Sequence, residues 1–120
     1  INIRGQVLAT FRLEGSLPEL HVKDEVKILR IVQELCNNAH KYAAAEQLNI
    51  RLVQEGKKLL LEVVDDGKGI DIELVNNGAQ KGFGLKNIAL RARELKGKFE
   101  IYPGQPKGTR ALVTMFENGQ

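Results

Sequence analysis

Three polar residues of one predicted helix could act together on a phosphorylated ligand. Glu34, Asn38 and Lys41 follow one another at spacings of four and three residues. On a helix, at about 100° per residue, they lie within roughly 60° of one another, opposite the apolar stripe, with Tyr42 beside them. A carboxylate, an amide oxygen and an ammonium can supply a base, a hard-cation ligand and a phosphate contact. Solvated helix faces also carry Glu and Lys, but the Asn37-Asn38 pair is unfavourable inside a helix, which indicates another use.

A glycine-rich segment, 65–69, follows a strongly apolar predicted strand with the sequence Asp-Asp-Gly-Lys-Gly. Ligands often bind at such strand ends in α/β proteins, and alternate glycines let the backbone approach a flat ligand closely. The carboxylate just before them can accept a hydrogen bond from an exocyclic amine. An ordinary acidic turn remains the alternative for this segment alone.

A second glycine-bearing segment, 81–85, has the sequence Lys-Gly-Phe-Gly-Leu and opens another predicted helix. Free backbone N–H groups at a helix start make an anion site suited to phosphates. A glycine turn that caps an ordinary helix is the alternative. Gly108-Thr109, at the start of the last predicted strand, carries little information by itself.

The elements that must position these groups alternate between strand and helix patterns. Apolar residues at helical spacing predict a helix over 24–44, with Asp24 as its N-cap. Its predicted apolar face comprises Ile28, Val32, Leu35, Ala39 and Ala43, with Leu29 and Cys36 beside it. A second helix is predicted over 85–96, closed by Gly97 in the usual C-terminal position. Strands are predicted over 6–13, 48–54, 58–64, 99–102 and 109–116. The order predicts an α+β fold: a two-layer α/β sandwich whose mixed sheet is covered by helices on one face.

The composition excludes several classes of protein. The chain has 120 residues, 42% hydrophobic and 28% charged, as expected of one globular domain rather than a disordered chain. It has no apolar run of about 18 residues that could span a membrane. Its single cysteine, Cys36, excludes an intrachain disulfide and a multi-cysteine metal site. The net charge of +3, without clustered aromatics, is typical of an ordinary surface and does not indicate nucleic-acid binding.

Familiar catalytic signatures are also missing. The chain has no Gly-x-x-x-x-Gly-Lys-Ser/Thr sequence, and neither Gly-x-Gly continues into a dinucleotide fingerprint. Ser16 is the only serine, which argues against a Ser-His-Asp hydrolase. His21 and His40 have no metal-ligand partners at helical spacing.

In their order and spacing, four blocks resemble the GHKL ATPase superfamily. Residues 34–42 resemble its N box, 65–69 its G1 box, 82–85 its G2 box and 108–109 its closing Gly-Thr. Within the superfamily, 31–39 and 84–97 resemble the ATP-binding catalytic domains of two-component sensor histidine kinases of the short-lid type. His40 and Tyr42 depart from the usual pattern of that group, and 70–81 contains no Phe, so the F box is missing. The resemblance implies a Bergerat fold.

The resemblance implies an adenine site around the G1 box. Asp65 would accept the adenine amino hydrogen, assisted by Thr109 and a water. Gly67 and Gly69 would give the ring room, and Ile70 would adjoin the nucleotide.

The resemblance also implies a magnesium and phosphate site. Asn38 would ligate Mg2+ through its amide oxygen, and Glu34 would orient or activate the reacting group. Lys41, with Glu34, would be catalytic and would border the phosphates. The remaining phosphate and nucleotide contacts would come from Tyr42, Gly82, Gly84 and Leu85.

The resemblance thus predicts one histidine-kinase-like ATPase domain, 1–120, excised from a longer chain. It would bind Mg2+ and ATP and pass the γ-phosphate to a histidine in a separate helical dimerisation domain, which would also serve the response regulator. We expect a cytoplasmic domain without direct membrane or nucleic-acid contact, although the parent protein could be membrane-anchored. The alternatives are an anti-sigma-factor-like serine protein kinase and a GHKL domain that binds partners without catalysis.

Overall fold

The computed structural model describes residues 8–16, 19–41, 46–67, 85–104 and 107–116 of the chain. These ranges form two helices and five strands. In chain order they are β1 (Leu8–Glu14), α1 (Val22–Lys41), β2 (Gln47–Glu55), β3 (Lys58–Asp65), α2 (Leu85–Glu94), β4 (Lys98–Pro103) and β5 (Thr109–Met115). Each predicted element is present, with bounds within about three residues of those expected where the described ranges allow comparison.

The five strands form one mixed sheet in the order β1-β2-β3-β5-β4. β1 runs parallel to β2, and the other neighbouring pairs are antiparallel. In this register Asp65, the last residue of β3, lies opposite Leu48 near the start of β2 and opposite Thr109 at the start of β5. The sheet therefore brings Asp65, the first residue of the 65–69 segment, beside Thr109 of the closing Gly-Thr.

The core lies between the helices and one face of the sheet. Buried residues alternate along β3, as the period of a strand requires. Its buried side chains pack with the apolar stripes of both helices, represented by Ile31 of α1 and Ile88 of α2, both fully buried. Each such side chain contributes about 1.5–3 kcal/mol through burial. This packing confirms the predicted two-layer sandwich with helices on one face.

The opposite face of the sheet carries charged side chains. Glu62 of β3 accepts hydrogen bonds from Arg51 Nη1 at 3.2 Å and from Arg110 Nε at 2.7 Å. The two arginines are more than two-fifths exposed, so these ion pairs contribute little to stability. The two faces of the sheet therefore differ: one packs against the helices, and the other carries charged side chains.

The N-cap of α1 is His21, which corrects the expectation that Asp24 would cap the helix. The His21 carbonyl accepts hydrogen bonds from the N–H groups of Asp24 and Glu25. Its imidazole Nδ1 also accepts the Lys23 N–H at 3.1 Å. Because the imidazole satisfies a free N–H of the first turn, Asp24 lies within that turn, where its charge favours the helix dipole.

The buried face of α1 is rotated from the predicted one. Ile31 is fully buried, whereas Leu29 is 56% exposed. Asn38 is 5% exposed and therefore lies on the buried side, not opposite the apolar stripe as expected. The expectation failed because it centred the stripe on Ile28 and Val32, which are only partly buried, and omitted Ile31.

At the end of α2, Lys96 rather than Gly97 adopts the left-handed conformation, with φ +59°. The Lys96 N–H donates to Arg93 and the Gly97 N–H donates to Ala92, which together form a Schellman motif. Gly97 is needed for another reason, since a Cβ there would lie 1.6 Å from the Thr114 carbonyl oxygen. The helix thus ends at Glu94, two residues before the predicted end at Lys96, and Gly97 serves close packing against β5. Neither of the described helices is long and apolar enough to cross a membrane.

Candidate active site

A pocket opens between α1, the start of α2 and the sheet. Polar lining groups come from three of the segments singled out in the sequence, namely Asn38, Asp65 and Thr109. Apolar side chains complete the wall: Leu35, Val63, Leu85, Ile101 and Ala111. The fold therefore gathers predicted site residues that are up to 71 positions apart, from Asn38 to Thr109 (109 − 38).

Asp65 is a buried carboxylate held by backbone groups. It is 8% exposed, and its Oδ1 accepts the Gly67 N–H at 2.9 Å. Burial raises the pKa of Asp65, and the nearby Asp66 charge adds to this, while N–H groups of Gly67 and Thr109 oppose the shift. A carboxylate has about four acceptor positions, so these two donors leave capacity for a ligand.

Two buried polar atoms beside Asp65 have no hydrogen-bond partner within the described part of the chain. They are Asn38 Nδ2 and Thr109 Oγ1, and both residues are 5% exposed. Buried polar groups in proteins are paired in about 90% of cases or more. Their concentration in one pocket indicates that a polar ligand or water is their partner.

Gly108 fixes the approach of β5 to the end of β3. It has φ +93°, and a Cβ at this position would lie 2.0 Å from the Asp65 carbonyl oxygen. Only glycine fits such a contact with such a backbone. The two residues of the closing Gly-Thr pair therefore have different roles. Gly108 allows the backbone before β5 to approach the Asp65 carbonyl oxygen, and Thr109 lines the pocket.

The chain matches the model of the histidine kinase-, DNA gyrase B- and HSP90-like ATPase family over residues 23–118. The chain belongs to this family. It is thus a GHKL ATPase domain, similar to the catalytic domains of histidine kinases. No curated protein matches the chain in sequence.

Solved histidine kinase structures share the fold. The ATP-binding domain of PrrB from Mycobacterium tuberculosis has a TM-score of 0.77 at 15% identity, covering 91% of this chain and 79% of that chain. The histidine kinase AdeS of Acinetobacter baumannii has a TM-score of 0.75 at 19% identity, covering 93% of this chain and 55% of that chain. The histidine kinase domain of a blue-light activated kinase from Erythrobacter litoralis has a TM-score of 0.68 at 19% identity, covering 89% and 51%. This chain thus spans about half the length of two of these three.

Within the GHKL domain, the structure brings together only some of the predicted site residues. Asn38, Asp65, Leu85 and Thr109 line the pocket. Glu34 is half-buried on α1, one turn before Asn38, and is not among the lining residues. The backbone of residue 41 ends α1. The predictions that fall outside the described residues concern the Lys41 side chain, Tyr42, Gly69, Ile70, Gly82 and Gly84.

Gly67 has a role that was not predicted from the sequence, since it forms a hydrogen bond with Asp65. We expected this glycine to leave room for a ring, but it is buried and its N–H donates to the carboxylate of Asp65. It thereby forms a tight local turn that orients the acceptor. An Asp followed two residues later by Gly is a turn signal that could have suggested this bond.

The apolar walls of the pocket were also missed. Val63 lies two residues before Asp65, and Ala111 lies two residues after Thr109, so each shares a sheet face with a predicted polar residue. Ile101 of β4 lies opposite Ala111 in the register. Strand alternation could have identified Val63 and Ala111, whereas Ile101 required the strand order. Such a wall suits a flat, largely apolar ring.

The described ranges contain no group of three or more His, Cys, Asp or Glu residues that could hold a metal ion. An amide oxygen is a suitable ligand for a hard cation such as Mg2+. Asn38, with its buried amide, is the described lining residue that fits such a role.

Proposed function

We propose that this domain binds Mg2+ and ATP in the pocket and transfers the γ-phosphoryl group to a histidine in a separate helical domain. The observation that carries the proposal is the buried Asp65 carboxylate, which shares its pocket with two unpartnered polar atoms. Leaving a polar group buried without a partner costs about 1–3 kcal/mol. A bound nucleotide would supply these partners. Family membership and the fold shared with histidine kinase ATP-binding domains support the assignment.

In this proposal the adenine ring occupies the apolar part of the pocket. Val63, Leu85 and Ala111 would contact the ring, and Asp65 would accept the hydrogen of its exocyclic amine. The Thr109 hydroxyl would assist through a water. Because the site is largely desolvated, a hydrogen bond to the charged Asp65 is stronger there than in water.

The phosphates and metal would lie toward α1 and the start of α2. Asn38 fits a magnesium ligand because Mg2+ is usually bound by one or two protein groups, with phosphate oxygens and water completing its shell. The bound metal would neutralise part of the triphosphate charge. The start of α2 favours anions because the free N–H groups of its first turn form the positive end of the helix dipole and no acidic residue lies in that turn.

Phosphoryl transfer requires mainly positioning and charge stabilisation, and this chain offers both without a covalent nucleophile. Glu34 would orient or activate the accepting imidazole, and Lys41 and Tyr42 would border the phosphates. The remaining proposed phosphate contacts are Gly82 and Gly84, with Gly69 and Ile70 nearer the ring. A phosphoacceptor domain and its response regulator would be cytoplasmic partners.

Titration with a fluorescent ATP analogue tests the nucleotide assignment. Asp65→Asn removes the charged acceptor, which is worth roughly 1.5–3 kcal/mol, so affinity should fall about 10- to 150-fold. Asp24→Asn is a matched control, since it makes the same change in α1 14 residues from Asn38 (38 − 24), or about 21 Å along the helix. Equal binding by wild type and Asp65→Asn would contradict the adenine assignment.

Radiolabelled ATP tests the transfer. The isolated domain should bind ATP yet label itself poorly, and labelling should appear when a histidine kinase's helical phosphoacceptor domain is added. The product should be acid-labile, as a phosphohistidine is. Acid-stable label on serine would contradict the histidine kinase assignment.

A further inference from the structure

The carboxylate of Asp66 makes different contacts from the carboxylate of Asp65. Asp66 does not line the pocket. Its Oδ1 accepts the N–H of Glu46 and the N–H of Gln47, both at 2.9 Å. Its own N–H donates to the Gln47 carbonyl at 3.3 Å. Asp66 thus binds the backbone at the start of β2 through three hydrogen bonds.

These three hydrogen bonds, which we call the Asp66 clamp, continue the sheet beyond its last regular pair. Between β2 and β3, pairing ends at Leu48 and Asp65. Asp66 extends it by one position and replaces strand pairing with a side chain that collects two N–H groups. β2 begins six residues after the end of α1 (47 − 41), so the clamp joins the residue after Asp65 to the strand that follows the helix of Asn38 in the sequence.

On the side away from β2, Asp65 and Asp66 pack against Gly108, in the turn before β5. A Cβ on Gly108 would lie 2.0 Å from the Asp65 carbonyl oxygen and 3.1 Å from the Asp66 Cα. Asp65 and Asp66 are therefore packed between the start of β2 and the turn before β5. On the β2 side, the Asp66 carboxylate and the Asp66 N–H together hold the backbone of Glu46 and Gln47.

The charge of Asp66 suits this role. The hydrogen bond from the Gln47 N–H holds the pKa of Asp66 below its usual range; desolvation opposes this lowering, and the Glu46 N–H and Lys107 add to it. The two carboxylates thus differ: burial raises the pKa of Asp65, while the N–H groups around Asp66 keep that carboxylate ionised. A charged acceptor forms stronger hydrogen bonds than a neutral one.

We propose that Asp66 is a positioning residue for the nucleotide: by holding the start of β2, it keeps the Asp65 carboxylate aligned in the pocket without touching the ligand. This inference rests on the proposed function, since it concerns the nucleotide affinity of that site. Asp66 acts through Asp65, so its effect on affinity must disappear when Asp65 no longer supplies the charged acceptor.

A double-mutant cycle on the full chain tests this dependence with the fluorescent ATP analogue. Asp66→Ala should weaken binding about three- to tenfold in the wild-type background, or about 0.7–1.4 kcal/mol. In the Asp65→Asn background the same substitution should change the Kd less than about twofold, because residues that act through one another are not additive. Equal fold-changes in both backgrounds would overturn the inference.

Two further variants separate positioning from general loss of stability. Asp66→Asn keeps an oxygen that can accept both N–H groups but loses the charge, so its affinity should lie between that of Asp66→Ala and that of wild type. Ile50→Val removes one buried methylene from β2 and lowers stability without touching this junction. Its affinity should match wild type; a loss as large as that of Asp66→Ala would overturn the inference.

Amide exchange provides a readout that needs no variant. The Gln47 N–H should exchange slowly in the wild-type chain and more slowly when the ATP analogue is bound, since the clamp and the bound ligand support the same arrangement. Exchange at the rate of an unprotected amide would overturn the inference even if Asp66→Ala failed to fold. A wild type that binds no analogue would overturn the proposed function as well, whereas binding that depends on Asp65 alone would overturn only this inference.

Discussion

Replacement of Gly108 by alanine should damage both the fold and the pocket, because this glycine packs directly on the Asp65 backbone. A Cβ at this position would lie 2.0 Å from the Asp65 carbonyl oxygen, whereas ordinary contacts begin at 3.4 Å. The two segments must therefore separate by about 1.4 Å (3.4 − 2.0). That displacement moves Asp65 away from its register partner Thr109.

The expected cost has two parts. At φ +93° an alanine is strained by about 1–2 kcal/mol, and forced separation of packed segments typically costs about 1–3 kcal/mol more. We therefore expect Gly108→Ala to lose about 2–5 kcal/mol of unfolding free energy. Because Asp65 and Thr109 no longer meet the same ligand, nucleotide affinity should also fall at least about tenfold, the equivalent of one lost hydrogen bond.

Gly56→Ala is the matched control. Gly56 also has a positive φ, +64°, but a Cβ there has no neighbour within 4 Å. It should therefore lose only the backbone part, about 1–2 kcal/mol, and keep wild-type affinity. Urea denaturation and analogue titration measure both quantities. If Gly108→Ala were no less stable than Gly56→Ala and bound the analogue normally, the proposed contact between the closing Gly-Thr and Asp65 would be wrong.

Three further predictions follow from individual groups. Thr109→Val replaces a buried hydroxyl that has no hydrogen-bond partner within the described ranges, so the free energy of unfolding should stay equal or rise by about 1 kcal/mol while analogue affinity falls; a parallel loss of both would contradict the assigned role. Lys96→Gly relieves a left-handed lysine at φ +59° and should stabilise the domain by about 1 kcal/mol in urea denaturation, and a destabilised variant would disprove the strain. Burial raises the pKa of Asp65 in the folded domain, so ionisation of Asp65 opposes folding, and the contribution of Asp65 to stability decreases as pH rises through that pKa. Analogue affinity has the opposite dependence and decreases as pH falls through the same pKa, because protonation removes the charged acceptor. Asp65→Asn should remove both dependences, as unfolding and binding measured over about pH 4–7 would test.

The secondary structure was largely predictable because its signals are local. The period-two alternation in β3 and the apolar repeats of both helices are properties of short windows. The errors occurred where a local signal had a competitor. Asp24 resembles an N-cap, but the imidazole of His21 takes that role one turn earlier. Similarly, Gly97 resembles a C-cap, although Lys96 carries the left-handed backbone.

The parts of the site that were not predictable depend on long-range contacts. The parallel pairing of β1 with β2 and the strand order that brings Ile101 to the pocket have no local signal. The same is true of the Asp66 clamp, which joins residues about 20 positions apart. Asn38 was identified by its unfavourable position in a helix, but its burial depends on where the sheet lies against α1. Residue types thus indicated the chemistry, and the tertiary contacts determine the geometry.

A crystal structure of the domain with a non-hydrolysable ATP analogue and Mg2+ tests the central claim most directly. The account predicts that the exocyclic amine of adenine lies within hydrogen-bonding distance of Asp65, that Thr109 lies beside it, and that Asn38 ligates the metal. A nucleotide bound away from this pocket, or an adenine with its amine turned from Asp65, would contradict the account.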